Sequence, residues 1–179
     1  GMRVIDACAG AGGKSLHLAA LMENKGQIIA LDIFPQKLEE LKRRARRNGA
    51  HNIETRLVDS RKTIKKLHQS ADALLIDAPC TGIGVLKRNP DAKWKLSPEF
   101  LAEITNTQSE ILRDYSSMVK PGGVLVYATC SILPQENQEQ IKAFLNSEQG
   151  RDFSLQAQES MLPSVTGYDG FFIARLKRK

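Results

Sequence analysis

The sequence is poor in cysteine and aromatic residues, and it has no long apolar run. Three cysteines in 179 residues is an odd number without framework spacing. No CxxC occurs, which speaks against a disulfide or zinc scaffold and for a reducing compartment, the cytoplasm. The three histidines, His17, His51 and His68, show no ligand spacing, so no metal site is expected. No stretch approaches the roughly 20 apolar residues of a membrane span, and the N-terminus lacks a secretory-signal pattern. Repeats, low-complexity tracts and internal linkers are missing as well. Acid falls short of base, 20 residues against 26, for a net charge of +6. That surplus favours a polyanion, nucleic acid above all, as partner. Basic residues gather in KLEELKRRARR (37–47), LKRNPDAKWK (86–95) and the terminal RLKRK.

What is present suits a single domain over residues 1–179, because 41% hydrophobic content at this length supports a real core. Short apolar runs alternate with longer helical patterns. RVIDA (3–7), QIIALD (27–32), NIETRLVD (52–59), ADALLIDAP (71–79) and GGVLVYATC (122–130) read as strands. KSLHLAALM (14–22), PQKLEELKRRARRNG (35–49), residues 98–118 and PQENQEQIKAFLN (134–146) read as helices. Pro35 opens the second helix and Gly49 closes it. Ser97 caps the third, with Glu99 and Glu103 in its early turns. DFSLQA and GFFIARLK form a closing pair of strands. Alternation of this kind predicts an α/β fold, a parallel sheet with helices on both faces.

Such sheets bind ligands beyond the carboxyl ends of their strands. Asp6 to Gly13, Asp32, Asp59, Asp77 to Cys80, and Thr129 to Ser131 all fall there. The turn DACAGAGGKS (6–15) has the glycines that let backbone approach a ligand at a helix start. Three ligands compete for it. A phosphate loop requires GxxxxGK[ST]; Gly13-Lys14-Ser15 fit, but Cys8 takes the first glycine's place. A dinucleotide loop requires GxGxxG; Gly10-Ala11-Gly12 begin it, but Ser15 replaces the last glycine. The third is S-adenosylmethionine, whose amino-acid end sits over such a turn. Asp32 would then take the ribose hydroxyls, and Asp59 would meet the adenine amino group. Two near-misses and one full set of strand-end acids favour the methyl donor.

Taken in order and spacing, six stretches resemble one family over nearly the whole chain. They are DACAGAGGKS, ALDIFPQKLEELKRRARRNG, the aspartate of LVDS, LIDAPCTGIGVLKRNPDAKW, YATCSILPQEN and the terminal GYDGFFIARLK. The family is the Nop/Sun group of S-adenosylmethionine-dependent RNA cytosine-C5 methyltransferases, which includes bacterial 16S rRNA enzymes. The resemblance implies a Rossmann-like class I methyltransferase with a mostly parallel seven-stranded sheet. It implies S-adenosyl-L-methionine as cofactor and RNA, in particular rRNA, as partner, with no membrane or metal; a monomer is expected. The cofactor site would comprise Cys8, Ala9, Gly10, Ala11, Gly12, Gly13, Lys14, Asp32, Asp59 and Asp77. The chain departs from the family at two points. Ala9-Gly10-Ala11 stands where the loop usually reads AAPGGK, and Asn89 stands where many members have histidine in Arg-His-Pro-Asp. Members also carry an N-terminal RNA-binding portion, which a sequence beginning at its first strand is expected to lack.

The chemistry of cytosine gives the two strand-end thiols a use. C5 is too weak a nucleophile to take a methyl group until a thiolate has added at C6. Asp77 could hold the base edge at N3 and N4, and Lys14 could support the electrostatics of the pocket. By resemblance Cys130 is the nucleophile and Cys80 helps release the product. Position alone would nominate Cys80, because DNA cytosine methyltransferases carry their nucleophile after a proline at the fourth strand end. Rival readings are a tRNA or DNA substrate, or a non-catalytic RNA-binding module on the same fold. Cys8 reads as a packed loop residue and Phe171 and Phe172 as core. Trp94 is either core or a platform near the RNA.

Overall fold

The computed structural model describes residues 1–179. Its strands are β1 (Arg3–Asp6), β2 (Gln27–Asp32), β3 (Ile53–Leu57), β4 (Ala71–Asp77), β5 (Val119–Thr129), β6 (Phe153–Met161) and β7 (Phe171–Arg178). They form one sheet in the order β3-β2-β1-β4-β5-β7-β6. Neighbours from β3 to β5 pair in parallel, while β7 runs antiparallel to both β5 and β6. The closing pair expected from the sequence is therefore β6 and β7.

Side-chain alternation assigns each strand residue to one of two cores. Ile28 and Ala30 of β2 meet Ala19 of α1 (Gly13–Leu21) and Leu41 and Ala45 of α2 (Pro35–Arg47). Ile29 and Leu31, one residue out of step, join the larger core on the other face. That core takes Ile64 of α3 (Arg61–Lys65), Leu112 of α5 (Pro98–Tyr115), and Ile141 and Phe144 of α6 (Gln138–Leu145). A strand covered on both faces must be apolar at every position, and QIIALD is nearly so. Ser97 caps α5 as expected, its hydroxyl accepting the Phe100 N–H at 3.2 Å. Arg44, Arg46 and Arg47 sit in the last turn of α2, where cations oppose the helix dipole.

Several details depart from the sequence expectation. Three short helices, α3, α4 (Ala92–Lys95) and α7 (Pro163–Thr166), lie in stretches too short for a helical period to show. Strand β5 starts at Val119, not 122, because Val119 pairs with Ala71 across an irregularity in register. Pro121 is tolerated at such a bulge. Trp94 is 79% exposed, so it is not core. Phe172 is buried as expected, whereas Phe171 is only half-buried. No helix is long and apolar enough to cross a membrane.

The order matters for function at one place. After β1 the chain builds β2 and β3 on one side and then crosses to β4 and β5 on the other. Loops leaving β1 and β4 diverge there and open a crevice at the carboxyl ends of the strands.

Candidate active site

A cavity of about 410 Å³ occupies that crevice, within the range of small-molecule sites. Its floor is the loop Ala7 to Gly10. Asp32, Ile33 and Phe34 form one end, and Asp77, Cys80 and Cys130 form the other. Thr107, Ile111 and Tyr115, successive turns along one face of α5, make the wall.

The floor is pinned on both sides. Ala7 N–H donates to Leu75 O of β4 at 2.8 Å, and Ala9 N–H donates to Leu31 O of β2 at 2.8 Å. Asp32 then clasps two loops: its carboxylate accepts the Gly10 N–H and the Phe34 N–H, each at 2.8 Å. Gly12 caps α1 at φ +86°, and a Cβ there would lie 2.4 Å from Leu41 Cγ. Positive φ and the close approach of α2 both call for glycine. Ala11 O accepts from Arg44 Nη1 at 2.8 Å, so the outer half of the glycine turn packs on α2 and does not reach the cavity.

Beneath the floor, Asp6 is buried at the end of β1. Ser15 Oγ donates to its Oδ2 at 2.6 Å, and Oδ1 has no partner. Burial pushes this carboxyl up to about 6, against the pull of the Ser15 bond. Lys14 Nζ donates to Asp77 Oδ2 at 2.5 Å and lies 5.6 Å from the Phe171 ring centroid. Cys8 lines the cavity, but burial and the nearby carboxylates push its thiol far above the ordinary range. Its side chain packs against the larger core.

The two strand-end thiols meet. Cys80 Sγ and Cys130 Sγ are 3.3 Å apart. Either sulfur could donate in this contact; with Cys80 as the donor, the bond lowers Cys130 to about 7 despite partial burial and the charge of Asp77. Its own backbone N–H and Lys14 add to the effect. Cys80, as donor beside a thiolate, is pushed up instead. Of the two, the thiol directly after β5 is the one whose ionisation is favoured.

The geometry thus brings together Cys8, Ala9, Gly10, Asp32, Asp77, Cys80 and Cys130, with Lys14 bonded to Asp77 behind them. It leaves out Asp59. That side chain is exposed and accepts from Ser60 Oγ at 3.1 Å and Thr63 Oγ1 at 3.2 Å, at the start of α3. Ala11, Gly12 and Gly13 also stand outside the lining. Sequence reasoning missed Ile33, Phe34 and Lys37, and the α5 wall. An apolar pair directly after a strand-end acid was a usable signal for the former, since Ile33 and Phe34 remain 60% and 49% exposed. Nothing local distinguished the wall of α5 from any buried helix face.

A family model described as 16S rRNA methyltransferase RsmB/F matches residues 1–177. The chain is 38% identical to the "Probable ribosomal RNA small subunit methyltransferase B" of Bacillus subtilis (strain 168), over 98% of this chain and 43% of that protein. It is 39% identical to ribosomal RNA small subunit methyltransferase B of Proteus mirabilis (strain HI4320), over 99% of this chain and 41% of that one. The chain therefore spans about two fifths of the length of these curated relatives. Among solved structures it is similar to NSun6 from Pyrococcus horikoshii with SFG, at a TM-score of 0.88 and 29% identity, covering 99% of this chain and 48% of that one. The sheet is that of the Rossmann-like methyltransferases. On the match to its model along nearly its whole length, the chain belongs to the 16S rRNA methyltransferase RsmB/F family.

Proposed function

We propose that the chain transfers a methyl group from S-adenosylmethionine to C5 of a cytosine in small-subunit rRNA, through a covalent adduct of Cys130 with C6. The observation that carries this reading is the pair of thiols 3.3 Å apart, beside the Lys14–Asp77 pair and at one end of a ligand-sized cavity. Methylation at nitrogen or oxygen needs no thiol; methylation at a pyrimidine carbon does. The names of the curated relatives support rRNA as substrate, and SFG, an analogue of the methyl donor, supports the cofactor.

The residues present suit that donor. Asp32 uses one lone pair of each oxygen on Gly10 and Phe34, so acceptor capacity remains for ribose hydroxyls. Ile33 and Phe34 offer apolar surface beside it. When bound, the donor supplies an electrophilic methyl group on a sulfonium. The protein's residues do the rest. Asp77 holds the N3/N4 edge of the base, and Lys14 keeps Asp77 in place. Cys130 adds as thiolate to C6, breaking the C5–C6 double bond and giving C5 its nucleophilic electron pair. After C5 is methylated, a water at the site takes the C5 proton, the C–H electron pair re-forms the C5–C6 double bond, and Cys130 departs as thiolate. Cys80 assists that elimination. All of this takes place in the cytoplasm.

Calorimetry on the purified chain should show binding of S-adenosylmethionine or its demethylated product and none of ATP. Low-salt incubation with 5-fluorocytosine-containing rRNA should then give an adduct that survives denaturing electrophoresis. Cys130→Ala should form none, while Cys80→Ala should accumulate one on unmodified RNA. ATP binding without a response to the methyl donor would refute the reading. The opposite behaviour of the two variants would reverse the roles of the thiols.

A further inference from the structure

Glu136 takes no part in the chemistry above, yet it touches the neighbours of both thiols. It ends the short turn Pro134–Glu136 and is fully buried. None of the ion pairs in the molecule includes it. Its carboxylate is met by neutral donors from three segments. Thr81 donates through N–H at 2.8 Å and Oγ1–H at 2.5 Å, Gln108 through Nε2–H at 3.0 Å, and Ser131 through its hydroxyl. Thr81 follows Cys80, and Ser131 follows Cys130. Gln108, on α5, also donates to Pro79 O at 3.0 Å, just before Cys80.

Burying a carboxylate without a cation costs several kcal/mol before its hydrogen bonds are counted. An ionised carboxylate is acceptor-only, with room for about four donors. An amide of the same shape would turn an N–H₂ group against donors. Four donors from three segments therefore explain why an acid, and not glutamine or leucine, occupies this point. We propose that Glu136 is a positioning residue that holds Cys80 and Cys130 in contact, acting through Thr81 and Ser131.

The consequence falls on Cys130. The groups facing it are Cys80 and Asp77 at the end of β4 and Lys14 of α1. Asp77 opposes its ionisation, Lys14 favours it, and the Cys80 S–H bond is the largest favourable influence. A contact between two thiols is short-ranged, so loosening either loop forfeits it first. The proposal gives a role within methyl transfer only if the function proposed above holds, but its test needs neither methyl donor nor RNA.

The test is the pH dependence of iodoacetamide alkylation at Cys130, read by peptide mass on the full chain. In the parent the midpoint should lie near 7. In Glu136→Gln it should rise to the ordinary thiol range of about 8.5, slowing alkylation at pH 7 by roughly tenfold. Removing a nearby negative charge would by itself move the midpoint down, so the sign separates tethering from a direct field effect. Glu136→Gln should add nothing in a Cys80→Ala background, because the contact it protects is already gone. Ser131→Ala and Thr81→Val, each removing one hydroxyl of the cluster, should shift the midpoint the same way by less. They keep the test decisive if Glu136→Gln unfolds. A lower melting temperature with an unmoved midpoint, a downward shift, or an equal shift without Cys80 would each overturn the proposal. Failure of donor binding or RNA adduct formation would instead count against the function, leaving the thiol titration to stand or fall separately.

Discussion

Asp6 is a carboxylate that the fold holds at a disadvantage, and replacing it with asparagine exposes by how much. The side chain is 1% exposed, and one oxygen has no hydrogen-bond partner. Burial raises its ionisation from the ordinary 3.8 to about 6. A folded state that holds the proton more tightly than the unfolded chain is favoured fully below the unfolded value. That advantage is lost as pH rises through the folded one. At pH 7.5 the ionised Asp6 therefore costs the fold about 3 kcal/mol, two units at about 1.4 kcal/mol each. Asp6→Asn is neutral at every pH and can still accept from Ser15. Its amide nitrogen lacks a partner at the orphaned position, which costs roughly 1 kcal/mol. The net gain at pH 7.5 is about 2 kcal/mol, or roughly 4–8 °C in Tm for a chain this size. By pH 3, below the unfolded value, both side chains are neutral and the variant should be the less stable by about 1 kcal/mol. Urea unfolding of both proteins at several pH values measures the crossing. A difference that stays constant with pH, or a variant already weaker at pH 7.5, would refute the account of Asp6 as a desolvated acid.

Further outcomes concern Gly84, beside Cys130, and the exposed Trp94. Gly84 N–H donates to Cys130 O at 3.0 Å, and Gly84 O accepts from Gly170 N–H at 2.7 Å. A Cβ on Gly84 would lie 2.3 Å from Gly170 O, so Gly84→Ala should cost about 2 kcal/mol in urea unfolding and slow alkylation of Cys130. Parental stability would show that these loops part freely. Trp94, exposed and with Lys93 Nζ 4.6 Å from its ring centroid, should stack on unpaired RNA bases. Trp94→Ala should weaken single-stranded RNA binding by about 1–3 kcal/mol in fluorescence anisotropy. Its salt slope should stay unchanged, whereas Lys87→Ala should flatten the slope. A Trp94→Ala variant with parental affinity would return that ring to an ordinary exposed residue.

The strand–helix alternation, the glycine-rich turn and both strand-end cysteines were legible in the sequence because each is a local property. Five apolar runs are strands whichever way they pair, and QIIALD needs cover on both faces wherever it sits. Asp32 ends a strand directly beside the glycine turn, and it lines the cavity. Asp59 satisfies the same rule, but one strand further out its carboxylate accepts from the hydroxyls of Ser60 and Thr63 and does not line the cavity. Local pattern cannot see that distance. Trp94 was undecided for a related reason, since an aromatic in a four-residue helix has no period to reveal its face. Thr107, Ile111 and Tyr115 carry a helical period, but the pattern says only that the stripe is covered. The angle at which α5 crosses the sheet decides that one part of it covers a cavity. Glu136 was the least legible residue of all. Alone in PQEN it reads as a solvated acid, and only the convergence of Thr81, Gln108 and Ser131, up to 55 residues away in the chain, makes its burial tolerable. Which elements form, and which residues stand at their ends, follows from neighbours in the chain. Which ends share a cavity, and that the two thiols meet there, follows only from the packing of distant segments, because contacts and desolvation depend on neighbours in space.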